Sequence, residues 1–325
     1  MSCEEQVTRV DTRVTMRAPA GFDSVPYPLD NAPTHLRIEL GRRLFYDTRL
    51  SLDGSTSCGS CHRLSLAMTD GKKTSVGLSG ASGKRNAPTL ANVAWFPYFM
   101  MEGGVPSLEM QALAPLHDTL EMSLNFDHAL TQLNSDPVMK ALAQSAYQRG
   151  EIDPFVITHA LAAFQRSIIS GDSGYDKMKQ GNRNAMSELA LEGMELFFSD
   201  RTNCSACHSG HLFTDFGFYN IGLDREYDDP GRIRVTFQDK DHGKFKTPTL
   251  RNIELTGPYM HDGRFESLEE VIEFYNRGGE GNANQDERIH PLQLTAREQL
   301  ALQEFLKSLT DWNFVQNTEL LPLYP

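Results

Sequence analysis

The sequence predicts a mainly α fold with long loops and little β structure, organised as two units of similar design. Apolar residues recur at the spacing of one helix face through much of the chain. A helix ending in Phe and followed by C-x-x-C-H occurs twice, which indicates an internal repeat. Strand signals are few, with one candidate hairpin in 233–245. The 325 residues are enough for two domains, each with its own core.

Local signals place the elements in order. Residues 1–33 are rich in Pro and turn formers and predict an extended N-terminal arm. Thr34 is a candidate N-cap for the helix that opens the first unit, 34–175. The second unit, 176–325, begins with a polar linker. Further helices are expected at 107–116, 125–133, 136–148 and 153–169 in the first unit, and at 188–199, 267–277 and 296–308 in the second.

The repeated pentapeptides carry the chemistry. They are Cys58-Gly-Ser-Cys61-His62 and Cys204-Ser-Ala-Cys207-His208. A C-x-x-C-H run is the signature of covalent c-type haem attachment, in which both sulfurs bond the haem and the His binds its iron. A redox C-x-x-C does not need the trailing His, and a zinc site rarely separates its two Cys pairs so widely. The sequence therefore predicts two cytochrome c-like domains, each wrapping one covalently attached haem.

Charge and cysteine usage restrict partners and compartment. The net charge of −12 argues against nucleic acid and anionic membranes as partners, and no apolar run approaches the roughly 18 residues that span a bilayer. Because c-type haem is attached outside the cytoplasm, we expect a bacterial periplasmic protein. Cys3 is the one cysteine outside the haem motifs, and no leader precedes it, as in a mature chain without its export signal. It is either a lipid anchor or an incidental thiol.

The chain resembles the bacterial dihaem cytochrome c peroxidase and MauG family along nearly its whole length. The matching strings of the first half are Gly41-x-x-Leu-Phe45, Asp47-x-Arg-Leu-Ser51, Arg85-Asn-Ala-Pro-Thr-Leu90, Ser107-Leu-Glu-x-Gln111-Ala and Glu121-Met122. Those of the second half are Phe245-Lys-Thr-Pro-Thr-Leu-Arg-Asn252, Leu255-Thr-x-Pro-Tyr-Met-His-Asp-Gly263 and Ser267-Leu-Glu-Glu270. The order of so many strings makes the resemblance specific.

The resemblance implies a division of labour between the haems. The haem on His62 is expected to be the high-spin site that binds hydrogen peroxide, and the haem on His208 a six-coordinate electron-transfer site. A calcium ion is expected between them, held by the Asn86 side chain and the backbone carbonyls of Thr256 and Pro258, since oxygen donors suit this hard cation.

The family also implies the groups that handle peroxide. Glu121 aligns with the carboxylate that moves the proton, Gln111 with the amide that orients peroxide, and Pro115 with the distal wall. A buried Glu can shuttle protons near neutral pH if its pKa is raised. By residue type alone, Glu121 and Gln111 would be solvated helix residues. Only their ordered spacing in the resemblance makes them catalytic candidates.

Two departures from the family pattern affect the haems. The loop 75–83 contains no His, and Leu78 aligns with the His that blocks the first haem in many family peroxidases. We therefore expect this haem to be open in the diferric state. Met101 replaces the Trp that usually lies between the haems, so exchange between them is slower or uses another group. Trp95 is either that group or a core aromatic.

The sixth ligand of the second haem separates two branches of the family. Tyr275 aligns with the ligand position, which is Tyr in MauG-like members and Met in peroxidases; the alternative ligand is Met260. A phenolate favours oxidised iron, whereas a thioether favours ferrous iron. His261 is expected to bond a haem propionate.

These features favour a MauG-like enzyme that uses hydrogen peroxide to form high-valent iron and oxidises a Trp or Tyr of a partner protein at long range. The alternative is a dihaem cytochrome c peroxidase that takes electrons from a small cytochrome or cupredoxin. A dihaem electron carrier or redox sensor is the non-enzymatic alternative, against which Gln111 and Glu121 argue.

Overall fold

The computed structural model describes residues 11–323, which are mostly helical. The helices of the first half are α1 (His35–Phe45), α2 (Cys58–Cys61), α3 (Leu108–Gln111), α4 (Leu113–His117), α5 (Phe126–Ser135), α6 (Pro137–Tyr147) and α7 (Pro154–Arg166). Those of the second half are α8 (Gly174–Lys179), α9 (Glu188–Phe197), α10 (Ile233–Thr236), α11 (Leu268–Arg277) and α12 (Ala296–Lys307). Short 3-10 turns and loops connect them. The expectation of a mainly helical fold is confirmed.

The β structure of the described residues is one antiparallel pair, β1 (Phe218–Tyr219) with β2 (Phe245–Lys246). Phe218 lies opposite Lys246, and Tyr219 lies opposite Phe245. The candidate hairpin in 233–245 is wrong, because 233–236 forms helix α10 and the partner of Phe245 comes from 218–219. The β-branched residues of that stretch predicted a strand, but residues 233–236 form a helical turn instead.

The two halves repeat one packing arrangement. Helix α1 packs on α7, and α9 packs on α12. A Cβ on Gly41 would lie 1.9 Å from the carbonyl oxygen of Ala160, and one on Gly193 would lie 1.8 Å from that of Ala301. The two helices of each pair therefore approach so closely that a side chain larger than glycine would overlap the backbone of the opposing helix. The Gly-x-x-Leu-Phe string of the sequence encodes this close approach twice.

Two large hydrophobic clusters and a small one around Phe274 form the interior. The first gathers side chains of α1 and α7 around Phe45 and Phe164, whose rings lie 5.1 Å apart. The second gathers α9 and α12 around Phe197 and Phe305, 4.9 Å apart. Phe314 and Leu320 near the C-terminus return to the first cluster. The last residues of the chain therefore hold the two halves together, while the predicted boundaries at 34–175 and 176–325 stay a prediction.

The described part of the N-terminal arm lies against both halves. The Nδ2 group of buried Asn31 donates to Glu109 at 2.8 Å and to the His159 carbonyl at 2.9 Å. Further out, the Phe22 ring contacts Trp95 of the first half at 5.3 Å and His211 of the second at 4.4 Å. The arm is therefore part of the junction between the halves.

A buried polar cluster joins the halves directly. One carboxylate oxygen of Asp311 accepts bonds from the Ser170 hydroxyl (3.1 Å) and from the backbone N–H groups of Gly171 and Asp172 (both 2.9 Å). Asn252 donates to the Ser170 hydroxyl at 3.0 Å. Because these groups are bonded to one another, they can be buried without an unpaired polar atom.

Candidate functional site

The first C-x-x-C-H run is held by a short capped helix. Ser57 and Ser60 form a capping box at the start of α2, and the His62 amide bonds back to the Cys58 carbonyl at 3.0 Å. The chain then turns, so that the Met68 carbonyl accepts a bond from His62 Nδ1 at 2.8 Å. This partner requires a proton on Nδ1 and leaves the Nε2 lone pair free, as in a His whose other nitrogen binds a metal.

The second run has the same design on a 3-10 turn. The His208 amide bonds to the Cys204 carbonyl at 2.9 Å, and His208 Nδ1 bonds to the Phe213 carbonyl at 3.0 Å. Burial lowers the pKa of both His62 and His208, so both imidazoles are neutral at pH 7 and able to bind iron. The structure thus repeats at both sites the one tautomer that haem ligation requires.

The four cysteines fit haem attachment better than thiol redox chemistry. Burial raises the pKa of Cys58 to about 12 and that of Cys207 to about 11. A redox C-x-x-C needs the opposite, a lowered thiol pKa. All four thiols are unpaired, and no group of three or more His, Cys, Asp or Glu side chains in residues 11–323 could hold a metal ion by itself. Haem linked through both sulfurs is the group that these residues fit.

Glu121 lies beside the first run. Its carboxylate is an electrostatic neighbour of the thiols of both Cys58 and Cys61, the first and last residues of α2. The side chain is accessible to solvent, yet the surrounding protein raises the pKa of its carboxyl, and the Asp118 carboxylate adds to the increase. A carboxyl whose pKa is raised is better suited to take up and return a proton than a fully solvated one.

Gln111 and Pro115 lie on the two short helices that lead to Glu121. Gln111 ends α3, and Pro115 lies one turn later in α4. The Pro115 carbonyl accepts the Met122 amide at 3.3 Å, which returns the chain past α4 and sets the position of Glu121. The predicted helix 107–116 is thus divided in two around Ala112.

The loop 75–83 packs against the Glu121 segment. The Leu78 amide bonds to the Glu121 carbonyl at 3.3 Å, and Leu78 itself is buried. A Cβ on Gly77 would lie 1.9 Å from the Leu120 carbonyl oxygen, so this approach requires glycine. The loop therefore brings an apolar side chain, with no group that binds iron, next to the candidate peroxide site.

Tyr275 lies on the face of α11 that meets the second run. The side chains of Cys204 and Cys207 are electrostatic neighbours of its phenol, and burial is the main reason that its pKa is raised. The hydroxyl has no hydrogen-bond partner among the described residues. Met260 packs near Phe274 in the adjoining cluster. Within residues 11–323, no contact joins the Met260 sulfur to Cys204 or Cys207.

The Met101 region joins the two halves by contacts that no sequence motif revealed. The Met101 carbonyl accepts the Lys246 amide at 2.7 Å. The Lys246 ammonium donates to the Tyr98 carbonyl at 3.0 Å, and burial lowers its pKa to about 8 despite the nearby charge of Glu102. Phe96 contacts Phe216 of the second half edge to face at 5.0 Å.

A half-buried guanidinium reinforces the same junction. Arg85 makes a bidentate pair with Asp229 at 2.7 and 3.0 Å and a third bond to Glu102 at 2.7 Å. His261 stacks on Phe245 at 4.0 Å beside it. Arg85 belongs to a matching string, but no sequence signal indicated its pairing with Asp229, 144 positions further along the chain.

Asn86 is next to the expected calcium site. Its amide N–H donates to the His261 carbonyl at 2.9 Å, which brings it to the loop that contains Pro258. Its Nδ2 donates to the Lys72 carbonyl at 2.9 Å. Because Nδ2 is engaged in this bond, Oδ1 is the Asn86 side-chain atom that could bind a cation. The calcium ligand set of Asn86, Thr256 and Pro258 stays a prediction.

Comparisons with known proteins agree with this geometry. The family described as di-haem cytochrome c peroxidase matches residues 35–184. The methylamine utilization protein MauG of Methylorubrum extorquens is 37% identical over 289 residues, which are 88% of this chain and 82% of the relative. The chain belongs to the dihaem cytochrome c peroxidase and MauG family. A cytochrome-c peroxidase of Denitromonas iodatirespirans is 35% identical over 320 residues, covering 88% of this chain and 84% of the relative.

Solved structures of the family share the fold. A MauG-like protein associated with microbial copper homeostasis superimposes with a TM-score of 0.89 and 32% identity over 94% of this chain and 98% of that one. The dihaem peroxidase BthA of Burkholderia thailandensis superimposes with a TM-score of 0.74 and 22% identity, covering 94% of both chains. The protein is therefore a dihaem peroxidase-type oxidoreductase, and its family implies two haems.

Two expectations concern membranes. No helix within residues 11–323 is long and apolar enough to span a bilayer. Cys3, the candidate lipid-anchor site, lies outside the described residues, and the anchor stays a prediction.

Proposed function

We propose that this protein is a MauG-like dihaem enzyme that oxidises a Trp or Tyr of a partner protein with equivalents taken from hydrogen peroxide. The observation that carries the proposal is Tyr275, whose phenol faces Cys204 and Cys207 without a hydrogen-bond partner in the described residues. An anionic oxygen ligand favours the oxidised states of iron. A site of this kind retains oxidising equivalents instead of accepting electrons from a cytochrome.

His62 and His208 would hold the two irons through Nε2, and the four cysteines would anchor the haems, one in each of two haem-wrapping domains. The bound haem iron supplies the redox chemistry. Glu121 would be the carboxylate that accepts a proton from bound hydrogen peroxide and returns it to form water. Gln111 orients the peroxide by hydrogen bonding, and Pro115 limits the space on that side. The raised pKa of Glu121 suits both halves of this transfer.

Leu78 supports reaction without prior reduction. Because the loop 75–83 contains no His and its Leu78 is apolar and buried, this loop would leave the first haem open to peroxide. Calcium at Asn86, Thr256 and Pro258 would tie the first half to the second between the haems. Both haem attachment and the partner reaction are assigned to the periplasm.

One equivalent of hydrogen peroxide added to the diferric protein without reductant tests the proposal. Mössbauer and near-infrared spectra should show a long-lived state in which both irons share the oxidising equivalents. Tyr275→Phe, which keeps the ring but removes the ligand oxygen, should lose the low-spin signal of the second haem. A requirement for reduction of one haem before any reaction would overturn the proposal.

A peroxidase that takes electrons from a small cytochrome or cupredoxin is the second candidate. It is favoured by the 35% identity to the Denitromonas peroxidase and by Met260, which packs beside Phe274 in the same region as Tyr275. Pre-reduction followed by rapid turnover with a reduced cytochrome would support this candidate.

A further inference from the structure

A tyrosine at the edge of the second haem site is bonded to a carboxylate. The Tyr219 hydroxyl donates to Asp215 Oδ2 at 2.6 Å, the length of a charge-assisted O–H···O⁻ bond. Of the tyrosines in residues 11–323, Tyr219 alone donates to a carboxylate. The other tyrosine hydroxyls that donate a hydrogen bond donate it to a backbone carbonyl or to a side-chain amide. Tyr98, for example, donates to the Phe216 carbonyl at 2.7 Å. This pairing distinguishes Tyr219 chemically.

The pair is connected to the second haem motif. The Asp215 amide donates to the Cys207 carbonyl at 2.8 Å, so hydrogen bonds lead from the haem-bearing residue through Asp215 to Tyr219. The Cys207 side chain is also an electrostatic neighbour of the Tyr219 phenol. Asp215 is exposed, so the pair also reaches the surface of the second half. One end of the path is at the haem site and the other is at the solvent.

The Arg288 side chain determines how the Tyr219 ring can be oxidised. The Arg288 guanidinium lies 4.2 Å from the centre of the Tyr219 ring and is held by a bidentate bond to Asp286 at 2.7 and 2.8 Å. A cation over the ring disfavours any positive charge on it. Oxidation of Tyr219 therefore requires that the phenolic proton leaves with the electron. Asp215 is positioned to accept that proton.

We propose that Tyr219 is a surface redox relay that carries oxidising equivalents from the second haem to the protein substrate, with Asp215 as its proton acceptor. This inference rests on the proposed function, which supplies the oxidant. Tyr219 loses one electron toward the haem, and its O–H bond breaks as the proton passes to Asp215. The neutral radical then takes one electron from the substrate side chain, and Asp215 returns the proton. Two such cycles transfer both equivalents of one peroxide molecule.

The relay would not depend on the residue at position 101, where the family usually has a Trp between the haems. Met101 concerns exchange between the haems, whereas Tyr219 concerns exit from the second haem. A substrate that docks over Asp215 and Tyr219 would need no access to either iron. The docking surface implied is the exposed Asp215 together with half-buried Tyr219 of β1, and the substrate class is a protein that presents an oxidisable indole or phenol there.

The test compares holoprotein variants after one equivalent of hydrogen peroxide, in the absence of a partner. Samples are frozen at successive times for electron paramagnetic resonance, with ring-deuterated tyrosine to identify a tyrosyl signal. Tyr219→Phe and Asp215→Asn should each lose that signal, and the oxidised haem state should persist at least about tenfold longer. Tyr98→Phe is the matched control, since it removes a nearby phenol bonded to a carbonyl, and should resemble the wild type.

A spin trap followed by peptide mass spectrometry gives a second measurement and should locate the adduct on Tyr219. Asp215→Asn controls for the possibility that Tyr219→Phe loses the signal because it misfolds. This variant keeps the tyrosine and a hydrogen-bond acceptor oxygen at position 215 but removes the carboxylate that would take the proton. A wild-type signal in either variant, or an oxidised wild type with neither signal nor adduct at Tyr219, would overturn the relay. Failure of the wild-type haems to become oxidised at all would instead overturn the proposed function, and the relay with it.

Discussion

Single residues determine the state of each haem site. His62 and His208 are set in the same tautomer by backbone carbonyls five or six residues further along the chain. Since a backbone acceptor cannot be removed by substituting a side chain, the orientation of both ligands is protected. The groups that differ between the sites are Glu121 at the first and Tyr275 at the second. Substitutions at and around these residues therefore test the roles separately.

We expect Glu121→Gln to slow the reaction with peroxide. The amide retains the size of the side chain but cannot accept the proton, and loss of a general acid–base group lowers a rate by about 10²- to 10⁴-fold. Stopped-flow absorbance of the haems after mixing with peroxide measures this rate. Glu151→Gln, at an exposed loop position, is the control and should react like the wild type. An unchanged rate in Glu121→Gln would remove Glu121 from the mechanism.

Asp118→Asn should alter the pH dependence of the same reaction. Partial desolvation by the surrounding protein is the main cause of the raised Glu121 pKa, and the Asp118 carboxylate is the second. The basic form of Glu121 accumulates as pH rises through this pKa, so the rate should rise with pH above the ordinary Glu value of about 4.3. Removing the Asp118 charge should move the rise to lower pH. The same profile in both proteins would contradict this electrostatic account, and exposed Asp127→Asn serves as control.

At the scale of elements, two tightly packed helix pairs support the haem motifs. The Gly-x-x-Leu-Phe strings precede each motif, and each glycine meets a carbonyl of the opposing helix. Thr34 caps α1 as the sequence predicted, since its hydroxyl accepts the Arg37 amide at 3.2 Å. Cap residues and helix faces were predictable because they depend on neighbours in sequence. The break at Ala112 and the helix at 233–236 were not, because packing with distant segments determines them.

We expect Gly41→Ala to destabilise the holoprotein. The added methyl would overlap the Ala160 carbonyl and press on Phe164, whose Cβ lies 2.8 Å away, and overpacking of this kind costs about 1–3 kcal/mol. Thermal unfolding monitored by circular dichroism measures the change. Gly150→Ala is the matched control, because its added methyl would meet no atom closer than 3.9 Å. Equal melting temperatures for the two variants would contradict the close approach of α1 to α7.

At the scale of the whole molecule, polar and aromatic contacts join the halves. Asp311 caps the chain at 170–172, Arg85 binds Asp229 from the other half, and Phe22 of the arm lies between Trp95 and His211. Trp95 donates its indole N–H to the Asp23 carbonyl at 3.2 Å, which is a structural role at the arm. These contacts give the two halves a defined separation, and transfer of charge between haems depends on that separation.

The buried pair of Asp176 and Arg251 should make stability depend on pH. Burial alone would raise the pKa of Asp176, but bonds from Arg251 at 2.9 Å and from Ser173 outweigh it and lower the pKa. A lowered folded pKa stabilises the protein above the unfolded value of about 3.9, and this contribution is lost as pH falls through the folded pKa. Acid should therefore weaken the wild type through this pair.

Asp176→Asn should lower stability at pH 7 by about 3–5 kcal/mol, because it leaves a buried guanidinium without its countercharge. It should also lose less stability than the wild type on acidification. Denaturant unfolding at several pH values measures both effects. Asp53→Asn removes an exposed carboxylate bonded to Ser55 and should change little. Parallel pH profiles for the wild type and Asp176→Asn would exclude a role for this pair in acid stability.

The sequence by itself determined the mainly helical fold, its repeat and the two haem attachment runs, because each of these signals lies within a few helical turns of the chain. Only the tertiary structure decided which distant groups meet. It brought Glu121 to Cys58 and Cys61, Tyr275 to Cys204 and Cys207, and Asp229 to Arg85. It also placed Arg288 over Tyr219. Such pairs have no fixed spacing, since packing of whole segments sets them, and they determine where protons and electrons can move.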